Sequence, residues 1–422
     1  MKTSSIVNKI DWQLTIAYLV LMFFGWIAVY SAAYNADHPN IFDFKMTYGK
    51  QFVWIVVSLI IGFVIINLSS RLFSAFANVY YVITILLLIL LLFFGKEVNG
   101  NRAWFDLGFF RLQPSEFSKI STALVLSSLL SNVDFNLQKK SNIFISGLII
   151  FLPFVLVATH DTGSSLVFLS FILLLYRFGL SAWIVYVSMY LLFLSIVSLI
   201  FPFYYIVISI SLIIISVIFY LRRRKEIRQI MAFSMLFIII TGFYSYSIDF
   251  TFDKLKKHQQ DRIRVMLGQD RDDEGRLLNV HQVKQSTIAI GAGQFFGKGF
   301  LNGTQSKGSF LPAKDTDTIF CTIGEEFGFV GSILVIALYV FIMFRIMFLA
   351  EKQKSKFSKV YGYAIVCIFA IHFIINIGMT LRVMPVIGIP LPALSYGGSS
   401  LIAFTILIFS FIKMDSEKWI YA

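Results

Sequence analysis

Long apolar runs alternate with short polar breaks along this chain. The runs lie near 14–33, 51–68, 77–95, 114–131, 143–159, 162–178, 180–201, 203–221, 228–248, 319–346, 360–381 and 389–412. A helix needs roughly 17–25 apolar residues to cross a bilayer. The pattern therefore predicts twelve membrane-spanning helices, the sixth of them short. The polar stretch Lys2–Trp12 precedes a first run long enough to span and stay, so no cleaved leader is expected. Two polar segments interrupt the rhythm, 96–116 and 249–318, and span parity puts both on the side opposite the N-terminus. Long loops usually carry function. Inside the larger one, 283–290 is expected to form a short amphipathic or re-entrant helix. Gly291, Gly293, Gly297 and Gly299 signal irregular backbone after it. No internal repeat is found, which weighs against an inverted-repeat transporter.

Composition agrees with lipid as the solvent. Of 422 residues, 58% are hydrophobic and 14% charged, against about 25% charged in a soluble domain. The net charge of +13 raises the question of nucleic acid, and its placement answers it. The basic residues gather in short loops on one side of the predicted membrane: Lys139-Lys140, Arg222–Lys225 with Arg228, Arg345 with Lys352, Lys354, Lys356 and Lys359, and Lys413. That is the positive-inside pattern, and it offers contacts to anionic lipid heads, not to nucleic acid. Cys321 and Cys367 both fall in spans, have no metal-ligand spacing, and read as small packing residues.

Charges in or beside spans are costly and mark candidate chemistry. Gln113-Pro114-Ser115-Glu116 opens the fourth span, with Pro114 suited to a first helical turn. Glu116 and Lys119 share a helix face. They read either as an ion pair locking the helix or as positive charge lent to a site. Asp161, in His160-Asp161-Thr162-Gly163, reads as a helix cap or a site residue. Asp317, in Thr316-Asp317-Thr318, reads as an N-cap of the tenth span or as a catalytic carboxylate. Glu325 and Glu326 follow two turns on. Arg262, Arg264 and Lys298 suit phosphate or a solvated loop surface. His372 and Asn376 share one face of the eleventh span and suit interhelical hydrogen bonds. Trp104, beside Arg102 in the polar stretch, suits sugar stacking or interfacial anchoring. Trp12, Trp26, Trp54, Trp183 and Trp419 read as interfacial belts.

These residues resemble the SEDS family (shape, elongation, division and sporulation), in its rod-elongation, RodA-like branch. The resemblance rests on Asn376-Ile-Gly-Met-Thr380, on Pro385-Val-Ile-Gly388-Ile-Pro390-Leu-Pro392 and on Ser395-Tyr-Gly-Gly-Ser-Ser400. It rests also on Asn99–Gly108 followed by Gln113–Glu116 and Lys119, on His160–Gly163, on Gln285-Ser286, Ile288–Gly291, Gly297–Gly299 and Gly303–Ser306, and on Thr316-Asp317 with Gly324–Gly328. Together they cover about residues 11–412. Some positions depart from the family pattern: Ala103 stands where an Arg is usual, with Arg102 one earlier, Ala313 and Asp315 replace Glu and His, Thr318 replaces an aromatic, and Ala393 a bulky apolar residue. The family usually has ten spans, so an extra helical pair is expected within 181–247.

The resemblance implies an all-α integral membrane protein, a single polytopic domain over 1–422 with a large extracytoplasmic loop over 249–318. It implies a glycosyltransferase that polymerises lipid II into β-1,4 glycan at the outer face of the cytoplasmic membrane during cell elongation. The linkage inverts in one displacement, with Asp317 as general base. Arg102, Trp104, Glu116, Lys119, Asp161, Arg262, Arg264, Lys298, Thr316, Glu325 and Ser395 are implied to bind or support the substrate and its pyrophosphate. No cofactor is required by the pattern; a divalent cation, Mg²⁺ or Mn²⁺, would suit pyrophosphate, and its ligands stay unassigned. Lipid II, membrane lipid, a class B penicillin-binding protein and elongation-complex membrane proteins are the implied partners. A lipid-precursor flippase or transporter, and a scaffold for the cell-wall complex, are the rival readings.

Overall fold

The computed structural model describes residues 9–35, 38, 40–98, 101–106, 108, 110–221, 227–254, 257–267, 281–307 and 313–418. Asn99, Gly100, Leu107, the basic run 222–225 and Trp419 lie outside them. The elements begin α1 (Trp12–Ala33), α2 (Thr47–Asn67), α3 (Arg71–Ala75) and α4 (Ala77–Phe94). Three short strands follow, β1 (Lys96–Val98), β2 (Asn101–Asp106) and β3 (Arg111–Leu112), then α5 (Pro114–Ser131), α6 (Lys140–Ala158), α7 (Thr162–Leu169) and α8 (Phe171–Arg177). Next come α9 (Ala182–Ile200), α10 (Phe203–Leu221), α11 (Ile227–Lys254), α12 (Lys257–Met266), α13 (His281–Ala292) and α14 (Thr304–Lys307). The chain closes with α15 (Ile319–Glu351), α16 (Lys356–Thr380) and α17 (Gly398–Ser416).

Among the described residues, nine helices are long and apolar enough to cross a membrane, and two shorter apolar helices lie at Thr162–Arg177 and Phe203–Phe219. All twelve predicted spans coincide with helical segments, but three differ from their runs. The sixth is two helices, α7 and α8, meeting at Ser170. The fourth, α5, is too polar to count among the nine, yet fourteen of its eighteen residues are buried. It is surrounded by protein, so lipid never tests its hydropathy. The last run begins at 389, but α17 begins at Gly398. Pro390 and Pro392 cannot continue a helix, and 389–397 is irregular, buried backbone. The polar stretch 96–116 folds as an antiparallel sheet, with Lys96 opposite Trp104 and Asp106 opposite Arg111, so the all-helical expectation misses a small hairpin.

Contacts divide the chain into two compact units, residues 1–180 with 281–422, and residues 181–280, the second enclosing the stretch 181–247 where the sequence places an extra helical pair. The second contains α9–α12. Its α9 and α11 are joined by Tyr190–Thr241, Ser195–Tyr244 and Ser198–Ser245 hydroxyl bonds of 3.1, 2.8 and 2.8 Å. Polar side chains are a usual glue where lipid provides no hydrophobic drive between helices.

In the first unit α5, α16 and α17 form the buried centre, with α1, α2, α4 and α15 around them. Close backbone approaches need glycine. A Cβ on Gly25 of α1 would meet Leu394 Cα and O at 2.6 Å, and one on Gly62 would meet the Phe409 ring at 2.9 Å. The long α15 breaks at Gly328 (φ 64°, ψ −157°). There the segment after α13 supplies the missing bonds. Lys298 N donates to Glu325 O and Gly299 N to Glu326 O, both at 3.0 Å, while Phe329 N reaches Gln294 O at 2.9 Å.

Adding a methyl at Gly25 should therefore destabilise the protein by about 1–3 kcal/mol through overpacking. Gly147 of α6 has nothing within 4 Å of its missing Cβ, so Gly147→Ala should be neutral or stabilising by up to about 1 kcal/mol. Thermal unfolding of the detergent-purified variants, followed by tryptophan fluorescence, checks the pair; equal effects would contradict this packing.

Candidate active site

The loop after α16 organises one end of the first unit. It runs between α16 and α17 with Val386, Ile389, Leu391, Ala393, Leu394 and Ser395 buried. Its backbone groups cannot pair within a helix, so they need outside partners. Asn376 Nδ2 donates to Ile389 O at 2.6 Å, and His372 Nδ1 to Pro390 O at 3.0 Å. Tyr339 of α15 donates its hydroxyl to Pro392 O at 2.6 Å. Gln51 of α2 takes both sides of the turn, donating to Ser395 O and accepting from Gly397 N at 3.4 and 3.3 Å. Ser395 Oγ accepts from Leu391 N at 2.9 Å. The sequence assigns Ser395 to substrate; its described hydroxyl bond is internal to the loop.

Asp317 lies against this loop. Its carbonyl accepts from the same Asn376 Nδ2 at 2.8 Å. Its carboxylate lies over Gly388, where a Cβ would stand 3.1 Å from Asp317 Oδ2. Gly388 has φ +79°, so glycine is favoured there on conformation as well as space. One residue earlier, Ile387 O lies 2.7 Å from where a Gly163 Cβ would be. Neighbouring residues of one loop thus touch the Asp317 turn on one side and the start of α7 on the other. Tyr396 N also donates to Asp315 O at 2.8 Å. Thr316 stands in the turn built on Ala313, whose carbonyl accepts from Thr316 N and Thr318 N, both at 3.2 Å. The N-cap of α15 is Thr318, without a side-chain cap bond. Asp317 thus precedes the assigned N-cap by one residue, and its half-buried carboxylate lies against the loop.

Asp161 does cap a helix. It accepts from Ser164 N at 3.1 Å and Ser164 Oγ at 2.6 Å, and Gln113 Nε2 donates to it at 3.2 Å. Gln113 N in turn bonds Ser399 Oγ, which donates to Arg111 O. The hairpin, α5, α7 and α17 therefore meet here. Arg102 is exposed on β2, and Trp104 is half-buried opposite Lys96. Burial, and then the Arg102 charge, hold the His160 imidazole below its usual pKa. Lys96 and the Gly108 N–H hold the Asp106 carboxyl below its usual value.

Two candidate cations already have carboxylate partners. Lys119 Nζ lies 2.7 Å from Glu116 Oε1, both side chains 1% exposed. The same ammonium lies 3.0 Å from His372 Nε2, so that nitrogen accepts and Nδ1 carries the proton donated to Pro390. The ion pair is linked through His372 to the loop beneath Asp317. Lys298 Nζ lies 2.8 Å from Glu325 Oε1, which also accepts from Thr304 N and Gln305 N at 2.8 and 2.9 Å. Glu326 accepts from Ser31 of α1. Arg262 and Arg264 stand on α12 of the second unit, Arg262 exposed and Arg264 over the Phe252 ring at 5.7 Å. Gln51 and Tyr339 escaped the sequence reading, and Ser399 entered it only as part of a motif, with no role. Each is a polar side chain in or at the end of a helix, the one signal that could have found them.

The sequence model of the FtsW, RodA and SpoVE cell cycle proteins matches residues 11–208 and 204–418. The chain is 31% identical over 350 residues to the peptidoglycan glycosyltransferase MrdB of Escherichia coli K12, spanning 82% of this chain and 80% of that protein. It is 29% identical over 422 residues to the peptidoglycan glycosyltransferase RodA of Treponema pallidum, spanning 94% and 95%. A chain in a solved peptidoglycan synthase complex has the same fold, with a TM-score of 0.69 at 22% identity over 97% of this chain and 98% of that one. The Thermus thermophilus RodA crystal structure matches with 0.61 at 21% identity and the same coverage.

Removing one partner of a buried ion pair costs about 3–5 kcal/mol, whereas replacing both by apolar groups is often neutral. Lys119→Met should therefore be strongly destabilised, and Glu116→Leu/Lys119→Met should regain most of the loss; an additive double variant in thermal unfolding would deny the pairing. A depressed carboxyl stabilises above its unfolded pKa and loses that contribution as pH falls through the folded one. Acidification below about pH 4, the unperturbed Asp range, should thus loosen the pairing of β1 with β2. Hydrogen exchange corrected for intrinsic rates should report this in the wild type and not in Asp106→Asn.

Proposed function

The chain belongs to the FtsW, RodA and SpoVE family of cell cycle proteins, and from that premise we propose that it is a peptidoglycan glycosyltransferase with Asp317 as its general base. The observation that carries the assignment is the Asp317 turn: a carboxylate over Gly388, its backbone clamped by Asn376, on the buried loop that also meets the start of α7. The protein is a multi-pass membrane protein. It lies in the cytoplasmic membrane with the hairpin end outside, because Arg71, Lys139, Lys140, Lys352, Lys354, Lys356 and Lys359 gather at the other end.

The substrate is lipid II, and the product is β-1,4-linked glycan made during elongation. The acceptor sugar's hydroxyl attacks the anomeric carbon of the donor while the pyrophosphate-linked lipid leaves, and the configuration inverts. Asp317 takes the hydroxyl proton as the new bond forms. A general base supplies about 10²–10⁴-fold, so stabilisation of the departing pyrophosphate must supply more. Lys119 and Lys298 spend their charge on Glu116 and Glu325. Their role in this reading is to hold α5 and the 294–299 segment in place. Arg102 and Arg111 are exposed cations on the hairpin side. Among the described residues no group of three or more His, Cys, Asp or Glu side chains could hold a metal ion, and no step here runs through one. A class B penicillin-binding protein crosslinks the strands as they emerge.

Purified wild type, with the crosslinking site of its partner blocked, should convert labelled lipid II into long strands resolved on gels. Asp317→Ala and Asp317→Asn should each lose about 10²–10⁴-fold in rate. Unchanged strands from the variants would remove Asp317 as base. No strands from wild type, with or without Mg²⁺, would turn the reading toward a flippase or a scaffold.

A further inference from the structure

At the end of the bundle opposite the hairpin, a cavity of about 110 Å³ opens among α3, α16 and the end of α17. Arg71, Gln353, Ser355, Ser358 and Lys418 line it. The 25-residue α16 starts there uncapped, with Ser355 at its N-cap in extended conformation (φ −77°, ψ 124°) and making no side-chain cap bond. The first N–H groups of a helix have no partner within it, and the helix dipole makes that end positive. A second, independent feature is Gln353, which is 8% exposed. Its Nε2 donates to Asp415 Oδ1 at 2.6 Å and Leu349 O at 3.3 Å, while its Oε1 has no hydrogen-bond partner. A buried acceptor left unmet costs free energy, and only a donor can meet it. The acids beside the cavity are already paired: Asp415 with Lys418 at 3.0 Å and Glu417 with Lys413 at 2.9 Å.

We propose that this cavity binds the headgroup of an anionic phospholipid carrying a free hydroxyl, of the phosphatidylglycerol type, from the leaflet at the basic end. The phosphodiester sits at the start of α16, where the N–H groups and the Ser355 and Ser358 hydroxyls donate to it and Arg71 adds charge. The glycerol hydroxyl donates to Gln353 Oε1. Phe357 and Met414 also line the cavity, apolar neighbours that suit glyceride carbons better than a hydrated phosphate ion. One water needs only about 10–15 Å³ of cavity space, so the cavity admits a phosphate group with the glycerol atoms attached to it.

Native mass spectrometry of the full chain tests this with dioctanoyl phosphatidylglycerol, dioctanoyl phosphatidylcholine and inorganic phosphate as probes. Wild type should retain phosphatidylglycerol selectively. Ser358→Asp places a carboxylate in the first turn of α16, where it suits the helix dipole and preserves folding but repels phosphate. Its affinity for phosphatidylglycerol should fall about tenfold, equivalent to about 1.4 kcal/mol. Arg71→Gln should weaken binding in the same direction and carries the test if the first variant does not fold, judged by its thermal midpoint. Undiminished binding in the folded variants, or equal retention of phosphatidylcholine, overturns the proposal. Displacement of the lipid by inorganic phosphate at comparable concentration assigns the site to free phosphate and overturns the lipid source.

Discussion

A stretch of non-helical backbone buried inside a membrane protein sets the terms for the rest of this structure. Residues 389–397 are largely buried in protein without a helix or sheet to satisfy them. Irregular backbone is tolerated there only where protein, not lipid, surrounds it. Five side chains meet that demand: Gln51, Tyr339, His372, Asn376 and Ser395. They come from α2, α15, α16 and the loop itself, so the loop ties those helices together. Gly25 lets α1 lie directly on the same backbone. Within the buried centre, α5 can carry Glu116, Lys119 and several serines because it faces other helices.

The site inherits its shape from that loop. Asn376 uses one amide nitrogen to hold both Ile389 O and Asp317 O. A single side chain thus fixes the distance between the loop and the turn that bears the carboxylate. Gly388 keeps the space beside the carboxylate open. His372 connects the same loop to the Lys119–Glu116 pair. A charge pair with both members 1% exposed is poor evidence of stability in itself; here it orients a hydrogen-bond chain that ends under Asp317.

The break in α15 follows the same logic at smaller scale. Gly328 leaves the helical conformation, and the carbonyls of Glu325 and Glu326 become free to accept from Lys298 N and Gly299 N. A Cβ on Gly297 would meet Glu326 O at 2.1 Å, so the two segments can meet only through glycine. Glu325 then draws the start of α14 and the Lys298 ammonium onto one oxygen. Residues that read in sequence as two acids, a cation and some glycines become one joint.

The sequence by itself determined the lipid-like composition, the helical segments and the family. Each is a property of composition and spacing along the chain: twenty apolar residues can cross lipid wherever they are packed, and Asn376, Gly388 and Asp317 sit in motifs readable without neighbours. The tertiary structure decided what the polar groups do. Glu116 and Lys119 looked equally suited to a lock and to a site until burial showed both withdrawn from solvent and bonded to each other. Asp317 reads in sequence only as a residue at a helix start; folding puts its carboxylate beside Gly388, 71 residues further along the chain. The last span looked continuous from 389 because Ile389, Leu391, Ala393 and Leu394 keep the stretch apolar, while the helix-breaking effect of Pro390 and Pro392 leaves hydropathy little changed. Partners such as Gln51 and Ser395 lie 344 residues apart in the chain, and a hydrogen bond at that separation leaves no local trace in sequence. Only packing brings the two groups within reach.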